Sequence, residues 1–267
     1  MKLFNADCKD ILRRSDMKEG IDLIITSPPY AMQRKDTYGG VPISEYISWF
    51  LDISAGMKES LSDTGSLVLN IKENVVDGQR DLYVFKLIIA MVEEQGWRFV
   101  EEYIWNKTNP FPTGNKRRLK DGYERCLHFT KTKGYKFFPA NALVKSESKW
   151  LESEKRRTKT GVHNVTNGSG MNMSRRVAND MVRRGTVITG STSNKNIAHP
   201  ATFPMYLPSV FIDLMTEEGD TVCDPFMGSG TTGDAAISSG REFIGIEMDK
   251  GYFEHTEARL NESNLFN

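Results

Sequence analysis

The run Ile21-Asp22-Leu23-Ile24-Ile25 is short, apolar and β-branched, and Thr26-Ser27-Pro28-Pro29-Tyr30 closes it at once. Such a run reads as a buried strand of a parallel sheet. Neither proline can donate to a ladder hydrogen bond, so the strand must stop and turn there. In open α/β sheets ligands bind outside the carboxyl ends of the strands, which makes this turn a candidate ligand site. Pro28 confines Ser27 to extended geometry, so the Ser27 hydroxyl and nearby carbonyls face out of the sheet edge. A planar NH₂ group could donate to those acceptors while Tyr30 stacks on the ring that carries it. A strand that ends in a Pro-Pro turn over a core tyrosine would read the same way.

A second strand end lies near the other terminus. Thr221-Val222-Cys223-Asp224 runs into Pro225-Phe226-Met227-Gly228-Ser229-Gly230-Thr231-Thr232, and a helix through Ala235-Ala236-Ile237 follows. Glycines let the backbone approach a ligand closely, and a helix N-terminus offers free N–H donors. Seventeen residues after Gly230, at the tip of the strand Glu242–Glu247, stands Glu247, where an acid commonly accepts from ribose hydroxyls. Three ligands compete for such a loop. A phosphate-binding loop would need a lysine after Gly230, where Thr231 stands. A dinucleotide fingerprint is matched by Gly228 to Gly233, but Asp224 ahead of it would repel a pyrophosphate. The ammonium and ribose of S-adenosylmethionine suit an acid at each of two strand ends.

Charge separates the middle of the chain from its ends. The 267 residues carry 35 basic and 35 acidic side chains, yet residues 107–184 hold 19 Lys/Arg against 6 Asp/Glu, a net +13. The remainder is −13. A basic block with interleaved aromatic and amide residues reads as a polyanion-binding surface, with a solvated insertion as the alternative. Lys116, Arg117 and Arg118 are the candidate phosphate contacts, followed by Arg175, Arg176, Arg183 and Arg184. Cys8, Cys126 and Cys223 are far apart and form no C-x-x-C pair, which supports neither a disulfide framework nor a metal site and fits a reducing cytoplasm. No run of 18 apolar residues and no signal-peptide core is present.

In chain order the pattern predicts strands at Leu3–Asp7, Ile21–Ile25, Ser66–Ile71, Phe99–Trp105, Thr221–Asp224 and Glu242–Glu247. It predicts helices over Ile43–Leu61, Leu82–Glu94, Phe203–Met215 and Tyr252–Asn261. Asp63 to Gly65 reads as a turn, and Tyr123–Phe129 with Tyr135–Phe138 as a hairpin. From Ala142 to Gly190 the pattern is weak.

The pairing of Thr26-Ser27-Pro28-Pro29-Tyr30 early with Asp224-Pro225-Phe226-Met227-Gly228-Ser229-Gly230-Thr231-Thr232 late resembles the β group of amino-methylating DNA methyltransferases. His199-Pro200-Ala201-Thr202-Phe203-Pro204, Ile244-Gly245-Ile246-Glu247-Met248-Asp249 and Asn5-Ala6-Asp7-Cys8 are similar to further segments of that family. The resemblance covers nearly the whole chain. It implies an α/β fold, a Rossmann-like S-adenosylmethionine-dependent methyltransferase sheet with an inserted basic target-recognition region. Residues 1–106 would be the catalytic half, 107–195 the insert and 196–267 the cofactor half of one domain. It further implies that Asp224, Pro225, Phe226, Gly228, Ser229, Gly230, Thr231 and Glu247 hold S-adenosylmethionine, with Asp7 near its adenine. Ser27, Pro28, Pro29 and Tyr30 would hold a base flipped from double-stranded DNA.

Adenine-specific relatives usually carry Asp at the position of Ser27 and N4-cytosine-specific ones Ser, so N4-cytosine is expected. N6-adenine is the alternative, and an RNA or protein amino-methyltransferase a further one. A carbon-5 methyltransferase would need a nucleophilic thiol, and all three cysteines read instead as small core residues. The family allows a monomer or homodimer, and a cognate restriction endonuclease acting separately.

Overall fold

The computed structural model describes residues 1–32, 40–110, 117–145, 181–192 and 203–264. These form two compact units, residues 1–137 with 186–267 and residues 138–185. The first is built on an eight-stranded sheet. Its strands are β1 (Lys2–Asn5), β2 (Ile21–Thr26), β3 (Leu61–Ile71), β6 (Arg98–Lys107), β7 (Tyr123–Thr130), β10 (Val187–Gly190), β11 (Thr221–Asp224) and β12 (Glu242–Glu247). They lie in the order β1-β12-β11-β2-β3-β7-β6-β10, and every pairing is parallel except the two made by β7. A small hairpin joins β4 (Val75–Val76) to β5 (Gln79–Arg80). In the second unit β8 (Leu143–Lys145) pairs with β9 (Met181–Arg183).

Among the described residues six α-helices flank the sheet: α1 (Cys8–Leu12), α2 (Ile43–Ser60), α3 (Tyr83–Glu93), α4 (Tyr206–Met215), α5 (Thr231–Ser238) and α6 (Lys250–Asn264). α1 packs on α2 and α2 on α3, while α5 packs on both α4 and α6. The chain leaves β2 toward β3 but leaves β11 toward β12, in opposite directions across the sheet. Right-handed crossovers therefore place α2 and α5 on opposite faces. The gap between β2 and β11 is the topological switch point, where a crevice opens at the strand tips.

The expected strands and helices lie within a few residues of where periodicity put them. β2, with five of its six residues buried, is central because it has no polar face to offer water. α2 buries Tyr46, Phe50, Ile53 and Met57, the 3.6-residue stripe of a helix that faces a sheet. Two readings are corrected. Asp63–Gly65 is not a turn between α2 and a strand: β3 starts at Leu61 and the register jumps between Ile21–Leu61 and Leu23–Ser66, which makes these residues a bulge within the strand. Tyr123–Thr130 does not pair with residues 135–138. It inserts between β3 and β6, and its last five residues, Cys126 to Thr130, are all buried, as suits a strand covered on both faces. The weakly patterned stretch supplies β8, β9 and the edge strand β10.

Candidate active site

The site grows from the tips of β2 and β11. Thr26 is the last residue of β2 and Asp224 the last of β11, 198 residues apart in sequence. The Thr26 hydroxyl donates to Asp224 Oδ1 at 2.7 Å. Thr232, in the first turn of α5, donates to Asp224 Oδ2 at 2.8 Å, and the Phe226 N–H to Oδ1 at 3.1 Å. The carboxylate is 2% exposed, so each of these donors offsets part of the cost of burying it. Burial nevertheless pushes the Asp224 carboxyl up to about 6, and the nearby Glu247 charge adds to the rise. Neither Thr26 nor Thr232 was among the residues expected at the site. Their signal is that both are β-branched hydroxyls flanking a motif acid.

Glu247 closes the same loop from the other side. Its Oε2 accepts the Gly228 N–H at 2.9 Å and its Oε1 the Asp249 N–H at 2.8 Å. Gly228 and Gly230 both have positive φ. At Gly230 a Cβ would stand 2.5 Å from the Thr256 methyl, so both conformation and space exclude a side chain. The Thr256 hydroxyl donates to the Gly228 carbonyl at 2.7 Å, and Arg259 donates to the Ser229 carbonyl. Ser229 is buried, its hydroxyl 3.4 Å from that of Thr231. Pro225 is buried beneath the loop, whereas Phe226 is half-buried with its ring 5.9 Å from Trp49 of α2. Asp7 follows β1, next to the tip of β12. It caps α1 by accepting the Lys9 N–H at 2.9 Å and stays partly exposed. The sheet thus gathers Asp7, Asp224 and Glu247 at one end.

Ser27-Pro28-Pro29-Tyr30 continues from Thr26 beside this loop. Pro28 is buried, while Ser27, Pro29 and Tyr30 are half-buried. The Tyr30 hydroxyl donates to Glu124 Oε2 at 2.9 Å and lies 3.3 Å from Asn70 Oδ1. The Ser27 hydroxyl donates to the Tyr30 oxygen at 3.4 Å. Glu124 also pairs with Lys107, whose ammonium lies 4.7 Å from the Trp105 ring centroid. Burial, then the Glu124 charge, holds the Tyr30 phenol well above its usual range, so it stays a donor. Asn70, Lys107 and Glu124 come from β3, β6 and β7, and only the register of those strands brings them to this turn. Sequence spacing carries no signal for that.

The cysteines are buried, and burial raises all three thiols, Cys8 to about 12. None is a nucleophile. Of the expected phosphate contacts, Arg117 is exposed, whereas Arg118 pairs with Asp121 at 3.1 Å, an acid that also holds Lys72 and Arg80. Lys116, Arg175, Arg176 and His199 lie outside the described residues.

An acid-lined glycine loop and a proline-stiffened acceptor turn, side by side at a switch point, define a Rossmann-like transferase. The sequence profile described as DNA methylase matches residues 21–258, and the chain belongs to that family. It is 30% identical to the Type II methyltransferase M.PvuII of Proteus hauseri, over 92% of this chain and 80% of that protein. It is 27% identical to M.XycI of Xanthomonas campestris pv. cyanopsidis, over 98% and 88%. Among solved structures, a PvuII DNA methyltransferase described as cytosine-N4-specific superimposes with a TM-score of 0.73 at 27% identity, covering 98% of this chain and 90% of that one. The complex of M1.HpyAVI with SAM gives 0.60 at 26%, covering 97% and 98%.

Proposed function

We infer that this protein transfers a methyl group from S-adenosylmethionine to the exocyclic N4 amine of cytosine in double-stranded DNA. The observation that carries the reading is the Thr26–Asp224 bond, which fixes the amine-accepting turn against the glycine loop. The similarity to a cytosine-N4-specific enzyme supports the choice of base.

The residues at the loop fit the cofactor. Two buried carboxylates favour its cationic groups, a backbone with no side chain at Gly230 admits close approach, and half-buried Phe226 offers a ring for adenine. Asp224 and Glu247 are engaged by the chain's own N–H and O–H groups, so their first role is to shape the loop. The backbone around Gly228, Ser229, Gly230 and Thr231 would meet the ligand, with Pro225 beneath it and Asp7 at its edge. When bound, S-adenosylmethionine supplies a methyl group made electrophilic by a sulfonium.

A cytosine amine is conjugated with its ring and is a poor nucleophile, and inside a duplex it is paired. In this reading the base is extruded and stacks on Tyr30. Acceptance of its two hydrogens by Ser27 Oγ and the Pro28 carbonyl turns the nitrogen lone pair toward the methyl, and positioning supplies much of the rate. The DNA would be held by basic residues of the 107–195 region, Arg117 foremost among the described ones. Arg118 is committed to Asp121, and Lys116, Arg175 and Arg176 complete the set. A cytoplasmic enzyme with a separately acting restriction endonuclease as its counterpart is part of the same reading, and a monomer suffices for it.

Nucleoside mass spectrometry of DNA methylated by the purified protein tests the inference. N4-methylcytosine is the expected product. N6-methyladenine would overturn the base, and label on RNA or protein alone would overturn the DNA substrate.

A further inference from the structure

A target amine is a hydrogen donor, so Ser27 is useful only if it presents lone pairs rather than its own hydrogen. Nothing in a serine dictates that. The arrangement behind it does. Glu124, paired with Lys107, is a carboxylate that can only accept, so the Tyr30 hydroxyl must donate to it across 2.9 Å. With its hydrogen committed, the Tyr30 oxygen accepts from Ser27, 3.4 Å away. The Ser27 hydrogen then points away from the substrate and its free lone pairs remain. Asn70 Oδ1, 3.3 Å from the Tyr30 oxygen, is likewise an acceptor and cannot reverse the order, because its amide nitrogen is turned to the Arg125 carbonyl.

We propose that Glu124 is a positioning residue for methyl transfer, setting the direction of the chain Ser27→Tyr30→Glu124 and receiving the proton that the methylated amine releases. The amine nitrogen forms the new bond to carbon as the carbon–sulfur bond breaks, its electron pair remaining on sulfur. The positively charged nitrogen then loses a proton to Ser27 Oγ, Ser27 passes its own to Tyr30, and Tyr30 passes its own to Glu124. Charge is conserved at each step, and Glu124 ends neutral beside the Lys107 ammonium. The raised titration range of Tyr30 accords with this, since a phenol that keeps its proton at neutral pH relays one without accumulating as phenolate.

The inference rests on amine methylation, and the test separates the two. Wild-type protein that yields no methylated amine in DNA overturns the function. Where it is active, Glu124→Gln keeps an acceptor for Lys107 but offers Tyr30 an NH₂ donor that can reverse the chain. The expected result is a kcat lower by roughly 10- to 100-fold, with KM for DNA and S-adenosylmethionine affinity by titration calorimetry unchanged, and a lower melting temperature because the Lys107 ammonium loses its carboxylate. In a Tyr30→Phe background the chain is already cut, so Glu124→Gln should change kcat less than about twofold. An equal loss in both backgrounds would show that Glu124 acts elsewhere and would overturn the proposal, as would an unchanged kcat in the single variant. Should Glu124→Gln fail to fold, the pair Glu124→Gln with Lys107→Met removes both charges together, and the same expectation holds.

Discussion

At the scale of single residues, the buried acid at the tip of β11 and a buried histidine on β7 oppose each other. His128 is fully buried with Nε2 at 2.9 Å from the Ser66 hydroxyl, and burial pushes its imidazole down to about 4. Between pH 4 and 6.5 the unfolded chain therefore binds a proton that the folded chain refuses, and folding weakens as pH falls. Asp224, raised to about 6, does the reverse: the folded state holds a proton that the unfolded state has lost, and folding weakens as pH rises through the same window. Removing one exposes the other. Relative to wild type, His128→Leu should gain stability on acidification from pH 6 to 4.5, and Asp224→Asn should lose it. Each slope approaches about 1.4 kcal/mol per pH unit. Urea midpoints across that range measure both. Thr26→Val is simpler: it leaves Asp224 Oδ1 short of a donor, and about 1–3 kcal/mol of stability should go with it, along with cofactor affinity.

At the scale of elements, the β11–α5 turn is the most constrained segment. Gly230→Ala would demand a left-handed backbone from a residue with a Cβ and push that Cβ into Thr256. The backbone alone costs about 1–2 kcal/mol. The expected outcome is a lower melting temperature and loss of S-adenosylmethionine binding by calorimetry, with DNA binding retained. This turn was legible in the sequence because a strand, a proline, spaced glycines and a helix follow one another without a gap, so its chemistry is local. The turn after β2 was legible for the same reason. What could not be read was whatever depends on register between distant segments. Tyr123–Thr130 looks like a strand, but nothing in it says that its partners begin 60 residues back, or that Glu124 meets Tyr30. β10 was invisible because Val187–Gly190 is a short edge strand with only Ile188 buried, too little for any period to show.

At the scale of the whole molecule, the proposed use of the basic region for DNA is tested at two adjacent arginines, exposed Arg117 and Arg118, which pairs with Asp121. Arg117→Ala should weaken DNA binding uniformly across sequences and reduce the salt dependence of the association constant by about one unit of log–log slope. Arg118→Ala should leave that slope nearly intact and lower the melting temperature instead, since Asp121 loses one of its three cations. Fluorescence anisotropy at several salt concentrations, run beside thermal melts, distinguishes the two.

The sheet order has a consequence for synthesis. Among the described residues β1 pairs with β12 alone, and β2 has β11 on one flank, so these strands wait for partners made some 200 or more residues later. A nascent chain that ends before Thr221 carries Ile21–Thr26 with one edge open and Lys2–Asn5 without its β12 partner. Such non-local pairing folds slowly, and open edges invite aggregation. Arrested chains of that length should be cut readily by protease and held by chaperones, and release of β11 and β12 should end both. The proposed methyl-donor loop is thus made only after the whole basic region 107–195 is already in the nascent chain.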